Sequence, residues 1–287
     1  MFARLPIANL MFEPVNDWTL QRVAVLKRYL CAFTAASKWR GLSTAYIDAF
    51  AGADYCDENG GDLARLAGFP DLAEAPPKAL LKCSARTALI AEPAFDGHVF
   101  IERNMRRCRV LEALAHEFSD RNVQIRRIDV NRELRRISHL DWSTRRAVLF
   151  VDAYAANLEW DTVAEVSRTN ATDMWLLFPV GFVSDRAAKA SALPPRWRDC
   201  LNQLLQTDEW FNGFAGSGRD VDARLKVLSQ AFTRRLTGAF ASVSRPRVMR
   251  SASGAPLYLL CFASAAPGNE GPAALELAEQ LLDTTNS

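Results

Sequence analysis

The chain has 287 residues, of which 49% are hydrophobic and 24% are charged, and its formal net charge is +2. This composition is typical of an ordinary soluble enzyme with a core as large as one sizeable domain. It excludes a strongly basic or strongly acidic binding protein.

The cysteines are scattered, without a CxxC pair or a cluster with histidine; they are Cys31, Cys56, Cys83, Cys108, Cys200 and Cys261. In a chain of this length the spacing predicts reduced thiols, not a disulfide framework or a zinc site. No apolar run is long enough to span a bilayer, and residues 1–10 lack the features of a signal peptide. We therefore expect a cytoplasmic protein that has no membrane contact and no bound metal.

The first predicted elements are a helix and a strand. Residues 17–40 repeat hydrophobic side chains at helical spacing, with Asp17 as a candidate cap. Residues 44–50 are predicted to be a buried strand, and an irregular segment rich in glycine and aspartate follows up to residue 75. An irregular segment of this length inside a domain is usually functional or disordered.

Further strands alternate with helices along the chain. The predicted strands cover residues 98–102, 123–129, 146–152 and 173–179, and residues 247–250 and 257–262 are predicted to form a hairpin before a final helix at 273–282. This order predicts an α/β fold with a doubly wound, mostly parallel, Rossmann-like sheet and an antiparallel C-terminal hairpin. No linker or repeat is evident, so we expect a single domain over residues 1–287, with a helical addition at 187–238.

Carboxylates end the first four predicted strands: Asp48, Glu102, Asp129 and Asp152. A single one of these could be a helix cap, but four in succession at one edge of a parallel sheet favour a ligand site. A carboxylate can accept the hydroxyl groups of a ribose or the amino group of an adenine. Small residues after Phe50 would allow a cofactor to approach the backbone closely.

The phosphate-binding motifs GxGxxG and GxxxxGK[ST] are absent from the sequence. The interval from Gly52 to Glu102 is also much longer than the roughly 20 residues of a dinucleotide fingerprint. These features favour S-adenosylmethionine (SAM) over a nicotinamide cofactor or ATP. Class I methyltransferases tolerate a looser loop at this position, and their sheets end in a strand hairpin.

Several short motifs, in this order, resemble the bacterial three-Cys-motif partner proteins (TcmP). They are residues 27–30 (KRYL), 46–52 (YIDAFAG), 100–102 (FIE), 129–131 (DVN), 150–154 (FVDAY), Trp160, 173–179 (DMWLLFP) and 258–264 (YLLCFAS). The resemblance implies a fold like that of SAM-dependent methyltransferases. It also implies association with another protein that carries a three-cysteine motif like those of radical-SAM proteins.

The chain departs from the family pattern at three places. Ala53 and Asp54 replace the Pro-Gly that ends the family's Asp-x-Phe-Ala-Gly-Pro-Gly loop. Residues 75–77 (APP) replace a Gly-Ser-Pro, and residues 152–155 (DAYA) replace Asp-Pro-Tyr/Phe-Gly. A β-carbon at positions 53 and 54 restricts positive φ, and Asp54 would place a negative charge against the carboxylate of the cofactor.

The first functional hypothesis is a SAM-dependent N-methyltransferase that acts on a nucleic-acid base or a similar amine. Glu102 would hold the ribose of SAM, Asp129 the adenine amine, and Asp48 with Gly52 the methionine end. Phe50 and Val130 complete the predicted cofactor-binding set. The predicted catalytic residues are Asp152, which would accept a hydrogen bond from the substrate amine, and Tyr154, which would stack on a flipped base.

Two alternatives remain open from the sequence. A non-catalytic partner subunit is favoured by the loop changes, with Trp210 and Phe211 as interface anchors, unless those rings pack inside the protein. A magnesium-dependent nucleic-acid-binding protein or nuclease would use the four carboxylates as metal ligands. The arginines in segments 103–109 and 126–136 would then contact phosphates, although ordinary solvated helices explain them equally well.

Overall fold

A computed structural model of the protein describes residues 18–51, 84–151, 158–184, 193, 195–250 and 254–283. The strands in these ranges form one sheet. They are β1 Ser43–Asp48, β2 Gly97–Ile101, β3 Val123–Arg126, β4 Arg145–Val151, β5 Thr172–Pro179, β6 Ser242–Val243, β7 Arg247–Arg250 and β8 Pro256–Ser264. Residues 52–75 of the predicted irregular segment lie outside the described residues.

The strand order is β3-β2-β1-β4-β5-β8-β6, and β7 also pairs with β8. Strands β1 to β5 are mutually parallel, whereas β8 runs antiparallel to β5, β6 and β7. This arrangement confirms the predicted doubly wound α/β sheet of the class I methyltransferase type, including the hairpin of β7 and β8.

Helices cover both faces of the sheet. They are α1 Trp18–Trp39, α2 Ser84–Leu89, α3 Met105–Glu117, α4 Val130–Ser138, α5 Trp160–Ser167, α6 Pro195–Leu205, α7 Glu209–Gly216, α8 Val221–Thr237 and α9 Glu270–Asp283, with a 3₁₀ helix at Gly181–Ser184. Successive residues of β1 point to the two faces of the sheet. Ile47 belongs to the core that α4 to α8 pack against, and Tyr46 belongs to the core that α1, α2, α3 and α9 pack against. Burial on both faces explains why the central parallel strands β4 and β5 are largely apolar.

The switch point of the sheet lies between β1 and β4. From β1 the chain proceeds outward through β2 and β3 on one side, and from β4 it proceeds through β5 on the other. Asp48 at the end of β1 is in register with Phe150 of β4 and with Phe100 of β2. In open α/β sheets, ligands bind outside the carboxyl ends of the strands at such a point.

The structure differs from the sequence prediction at β3, which ends at Arg126 and not at residue 129. Asp129 is instead the N-cap of α4, where its Oδ1 accepts the backbone N–H groups of Asn131 at 3.0 Å and Arg132 at 3.3 Å. Capping satisfies two N–H groups that an uncapped helix would leave without partners. Asp129 therefore begins a helix, one turn beyond the strand.

The region predicted as a helical addition contains α6, α7 and α8, whereas its treatment as an addition to a single domain stays a prediction. Trp210 of α7 is only 5% exposed and belongs to the core, so of the two interpretations left open for this ring, packing inside the protein is confirmed. The cysteines that the structure describes are free thiols. No helix in the described part of the chain is long and apolar enough to cross a membrane.

Candidate functional site

The carboxyl end of β1 carries Asp48, which is fully buried. Its Oδ2 accepts a hydrogen bond from the Tyr46 hydroxyl at 3.2 Å, and its Oδ1 accepts the Phe50 backbone N–H at 3.3 Å. Ala49 N–H bonds the carbonyl of Phe150 at 2.9 Å, which holds the turn against β4. Asp48 therefore fixes the turn through which the chain leaves β1, and half-buried Phe50 packs against the core beside it.

Glu102 follows directly after β2 and is 7% exposed. Its Oε1 accepts the Asn104 backbone N–H at 2.6 Å, and its Oε2 lies 3.7 Å from Arg107 Nη1. Asn104 in turn caps α3 by accepting the backbone N–H of Arg106 at 2.8 Å. The carboxylate is thus held in one place, between the end of β2 and the first turn of α3.

Asp129 and Val130 follow β3. The Asp129 side chain is exposed, and both of its described hydrogen bonds use Oδ1. Val130 is buried in the core beneath α4, so its side chain serves packing. Only its backbone is left to contact a cofactor.

The structure places Asp48, Phe50, Glu102, Asp129 and Val130 after the carboxyl ends of the adjacent strands β1, β2 and β3. These residues share one edge of the sheet, as the sequence predicts for a cofactor site. The predicted Gly52 and the predicted catalytic residues Asp152 and Tyr154 lie outside the described residues. Their roles stay predictions.

The predicted metal alternative is not supported by the described side chains. Within those residues, no three His, Cys, Asp or Glu side chains lie close enough together to hold a metal ion. Asp48, Glu102 and Asp129 are each held instead by hydrogen bonds to the protein. These three carboxylates therefore do not form a magnesium-binding cluster among the described residues.

Sequence reasoning missed Asn131, which organises the same edge. Asn131 is 8% exposed, and its Oδ1 accepts the backbone N–H of Glu159 at 2.9 Å. Arg135 of α4 also reaches the Glu159 carboxylate, at 2.6 Å. These bonds tie α4 to the chain just before α5, close to where the segment after β4 rejoins the described structure. The only sequence signal for Asn131 is its place in the motif at residues 129–131.

Glu133 is a buried carboxylate that the sequence analysis also did not single out. It is fully buried and accepts hydrogen bonds from Arg126 Nε at 2.9 Å and Arg136 Nη2 at 2.8 Å. Burial alone would raise the pKa of its carboxyl group, but the bonds from Arg136 and Arg126 hold that pKa below its usual value. Through these bonds Glu133 holds α4 against the end of β3.

The Glu102 and Asp129 carboxylates have free acceptor positions that fit the hydrogen-bond donors of SAM. A carboxylate has about four lone-pair positions, and the contacts described for Glu102 leave its Oε2 beyond hydrogen-bond distance of Arg107. That oxygen can accept a ribose hydroxyl. Asp129 Oδ2 can accept an adenine amino group in the same way.

No protein-family model matches the chain, and no curated protein matches it. Among solved structures the chain is similar to LPL1258 from Legionella pneumophila, of the family model DUF519, at 11% identity over 94% of this chain and 92% of that chain, with a TM-score of 0.48. It is also similar to EvdMO1, at 13% identity over 83% of this chain and 40% of that chain, with a TM-score of 0.34.

A third similar structure is described as "Putative methyltransferase yhhF from Escherichia coli". Its identity is 12% over 77% of this chain and 76% of that chain, with a TM-score of 0.27. All three TM-scores and identities are low. The fold assignment therefore rests on the strand order and directions of this chain, and the site on its own residues.

Proposed function

We propose that the chain is a SAM-dependent methyltransferase whose cofactor lies at the carboxyl ends of β1, β2 and β3. The observation that supports this most is the Glu102 carboxylate, which is nearly buried and held at the end of β2. This strand neighbours β1, beside the switch point of the sheet. In dinucleotide-binding sheets, an acidic residue in the corresponding region accepts the hydroxyl groups of a ribose.

The other cofactor contacts follow from the same edge. Asp129 Oδ2 accepts the adenine amine, while its Oδ1 caps α4. Asp48 acts through the turn that it holds, together with Phe50. Gly52 follows this turn in the sequence and is proposed, with Asp48, to hold the methionine end. Val130 contributes its backbone, since its side chain is in the core.

The acceptor side of the reaction belongs to the residues that follow β4. β4 lies beside β1 at the switch point, so Asp152 comes next to the cofactor edge in the chain. Bound SAM would supply a methyl group to a nitrogen of the substrate, with S-adenosylhomocysteine as the leaving group and the proton of the methylated nitrogen released to solvent. In this proposal Asp152 accepts a hydrogen bond from the substrate amine and orients its lone pair, and Tyr154 stacks on the ring that carries the amine.

Isothermal titration calorimetry with SAM tests the proposal. We expect the wild-type protein to bind SAM with a 1:1 stoichiometry. Glu102→Gln removes a charged acceptor of ribose hydroxyls, worth about 1.5–3 kcal/mol, so the Kd should rise about 10- to 150-fold. Glu112→Gln, which changes an exposed carboxylate on the following helix α3, is the matched control and should leave the Kd unchanged.

A non-catalytic partner subunit is the second candidate, supported by Ala53, Asp54 and Ala153, which replace family residues around the cofactor loops. Membership in the three-Cys-motif partner family belongs to this candidate as well. Because Trp210 is buried and Phe211 is half-buried beneath the Arg198 guanidinium, at 4.1 Å, its interface would lie on another surface. Absence of SAM binding at millimolar concentration, with copurification of a three-cysteine-motif protein, would favour it over the enzyme.

A further inference from the structure

The arginines that follow β2 and β3 divide into two groups. One group is engaged in ion pairs: Arg107 with Glu102, Arg126 and Arg136 with Glu133, and Arg135 with Glu159. The other group is exposed and forms no ion pair within the described part of the chain; it consists of Arg103, Arg106, Arg109, Arg127 and Arg132. We name this second group the arginine surface.

The arginine surface shares the sheet edge with Glu102. Arg103 follows Glu102 after β2, and Arg127 follows Arg126 at the end of β3. The Glu102 N–H bonds the Arg126 carbonyl at 3.1 Å, so the two strands remain adjacent up to this point. Neighbouring strands lie about 4.8 Å apart, which brings the two exposed arginines to the same edge.

Helices extend the same surface. Arg106 and Arg109 are three residues apart on α3, and side chains at this spacing are neighbours, with about 5–6 Å between Cβ atoms. Arg132 lies in the first turn of α4. Exposed Met105, at 48%, lies between Arg103 and Arg106 in sequence and offers an apolar contact beside the charges.

Arg127 is close to α3 as well. Burial raises the pKa of the Cys108 thiol on α3, and the positive charge of Arg127 acts in the opposite direction. The charges from the end of β3 and from α3 therefore act on the same region. The whole chain has a formal charge of only +2, so this positive charge is local and not a property of the entire surface.

We infer that the arginine surface binds the phosphodiester backbone of a single-stranded nucleic acid and delivers one of its bases to the methyl-transfer site. This inference rests on the proposed function, which it deepens by naming the substrate class. Guanidinium groups match phosphates in a bidentate geometry, and the exposed arginines that follow β2 and β3 offer more phosphate contacts than a single anion can use. A base must leave its stack to reach an enzyme site, which favours a single strand over a duplex.

Fluorescence anisotropy with a labelled single-stranded DNA oligonucleotide, titrated without SAM at several salt concentrations, tests the inference. The triple variant R103Q/R106Q/R109Q should bind about tenfold or more weakly at low salt. Each lost phosphate contact lowers the slope of log K against log salt by about 0.7 for single strands, so the slope should fall by about 2. The triple variant R145Q/R219Q/R245Q, with exposed arginines outside this segment, is the matched control and should bind like the wild type.

Three outcomes would overturn the inference: equal affinity of the wild type and the surface variant, an equal loss in the control variant, or tighter binding of the duplex with the same sequence. Displacement of the oligonucleotide by polyglutamate at equal charge would assign the surface to an acidic protein instead. The calorimetric SAM titration separates this inference from the proposed function. Oligonucleotide binding without SAM binding would support the arginine surface as a nucleic-acid site and reject the methyltransferase proposal. SAM binding without oligonucleotide binding would support the methyltransferase proposal and reject the nucleic-acid site.

Discussion

Tyr29 donates a buried hydrogen bond to Asp173, with 2.6 Å between the phenol oxygen and Oδ2, across 144 positions of the chain. The Ser264 hydroxyl donates to the other oxygen, Oδ1, of the same carboxylate. These bonds join α1, β5 and β8 in the core opposite the α4 to α8 layer. Asp173 lies near the amino end of β5, so this cluster stabilises the fold and is remote from the cofactor edge.

Removal of the phenol hydroxyl should destabilise the protein. Tyr29→Phe leaves a buried carboxylate oxygen without its donor, and we expect the free energy of unfolding to fall by about 1–3 kcal/mol in urea denaturation. In the Asp173→Asn background the same substitution should cost less, because the acceptor no longer carries charge. Equal costs in the two backgrounds would show that the contribution of the Tyr29 hydroxyl does not depend on the Asp173 carboxylate.

Asp173 should also make stability depend on pH. Burial raises the pKa of this carboxyl group to about 6, against the bonds from Ser264 and Tyr29, with Glu270 raising and Arg146 lowering it further. Because the pKa of this acid is higher in the folded protein than in the unfolded chain, the folded state holds the proton more tightly. The stabilising contribution of Asp173 is therefore fully present below the unfolded-state pKa of 3.8 and is lost as pH rises through about 6. Relative to Asp173→Asn, the wild type should therefore lose ~3 kcal/mol between pH 4 and pH 7. A difference that stays constant across this range would contradict the assignment.

Glu133 should show the opposite pH dependence. The bonds from Arg136 and Arg126 lower its pKa despite burial, so its contribution is present above the usual value and is lost as pH falls. Glu133→Gln should cost about 1.5–3 kcal/mol at pH 7, and less toward pH 3. Glu117→Gln is the control, because its ion pair with Arg86 at 2.8 Å is exposed, and we expect a loss under about 1 kcal/mol. Equal losses for the two variants would mean that burial adds nothing to the Glu133 cluster.

The double role proposed for Asp129 can be separated by two substitutions. Asp129→Ala removes the cap of α4 and should lower stability by about 0.5–2 kcal/mol, whereas Asp129→Ser keeps a capping oxygen. Both remove the carboxylate, so both should weaken SAM binding. Asp220→Ala is the matched control: Asp220 caps α8 through the Ala223 N–H at 3.0 Å, so its loss should reduce stability without changing SAM affinity. If Asp129→Ala weakened SAM binding in proportion to its loss of stability, and Asp129→Ser left SAM binding unchanged, Asp129 would act only as the cap of α4.

Much of the fold could be predicted from the sequence, because the central parallel strands β4 and β5 contain long apolar runs. The prediction of residues 146–152 corresponds to Arg145–Val151, and 173–179 to Thr172–Pro179. The helix expected at 17–40 is Trp18–Trp39. These elements are specified locally, since burial on both faces demands near-continuous hydrophobicity.

Other elements depend on tertiary contacts and have little local signal. β6 has two residues and exists through its pairing with β8. α7 contains Gly213 and ends at Gly216, which disfavour a helix, yet it forms because Trp210 and Phe214 are buried in the core. The same contacts decide between the two interpretations that the sequence left open for Trp210, in favour of packing inside the protein.

The types of residue at the candidate site could be predicted from the sequence, but the contacts among them could not. Carboxylates after strands could be identified from the sequence, as could the edge that they share. The sequence could not show that Glu102 contacts the start of α3, or that Glu133 is neutralised by two arginines, because those partners meet only in the folded chain. For the same reason the division of the arginines into paired and exposed groups required the structure.

In the proposed complex, Glu102 accepts a hydroxyl group of the SAM ribose at the end of β2. A crystal structure of the protein with S-adenosylhomocysteine, the product of methyl transfer, tests this most directly. We expect a ribose hydroxyl within about 2.5–3.0 Å of the Glu102 carboxylate, with the adenine beside Asp129. A product molecule bound away from the ends of β1 and β2, or a protein that shows no binding under saturating product, would contradict the claim.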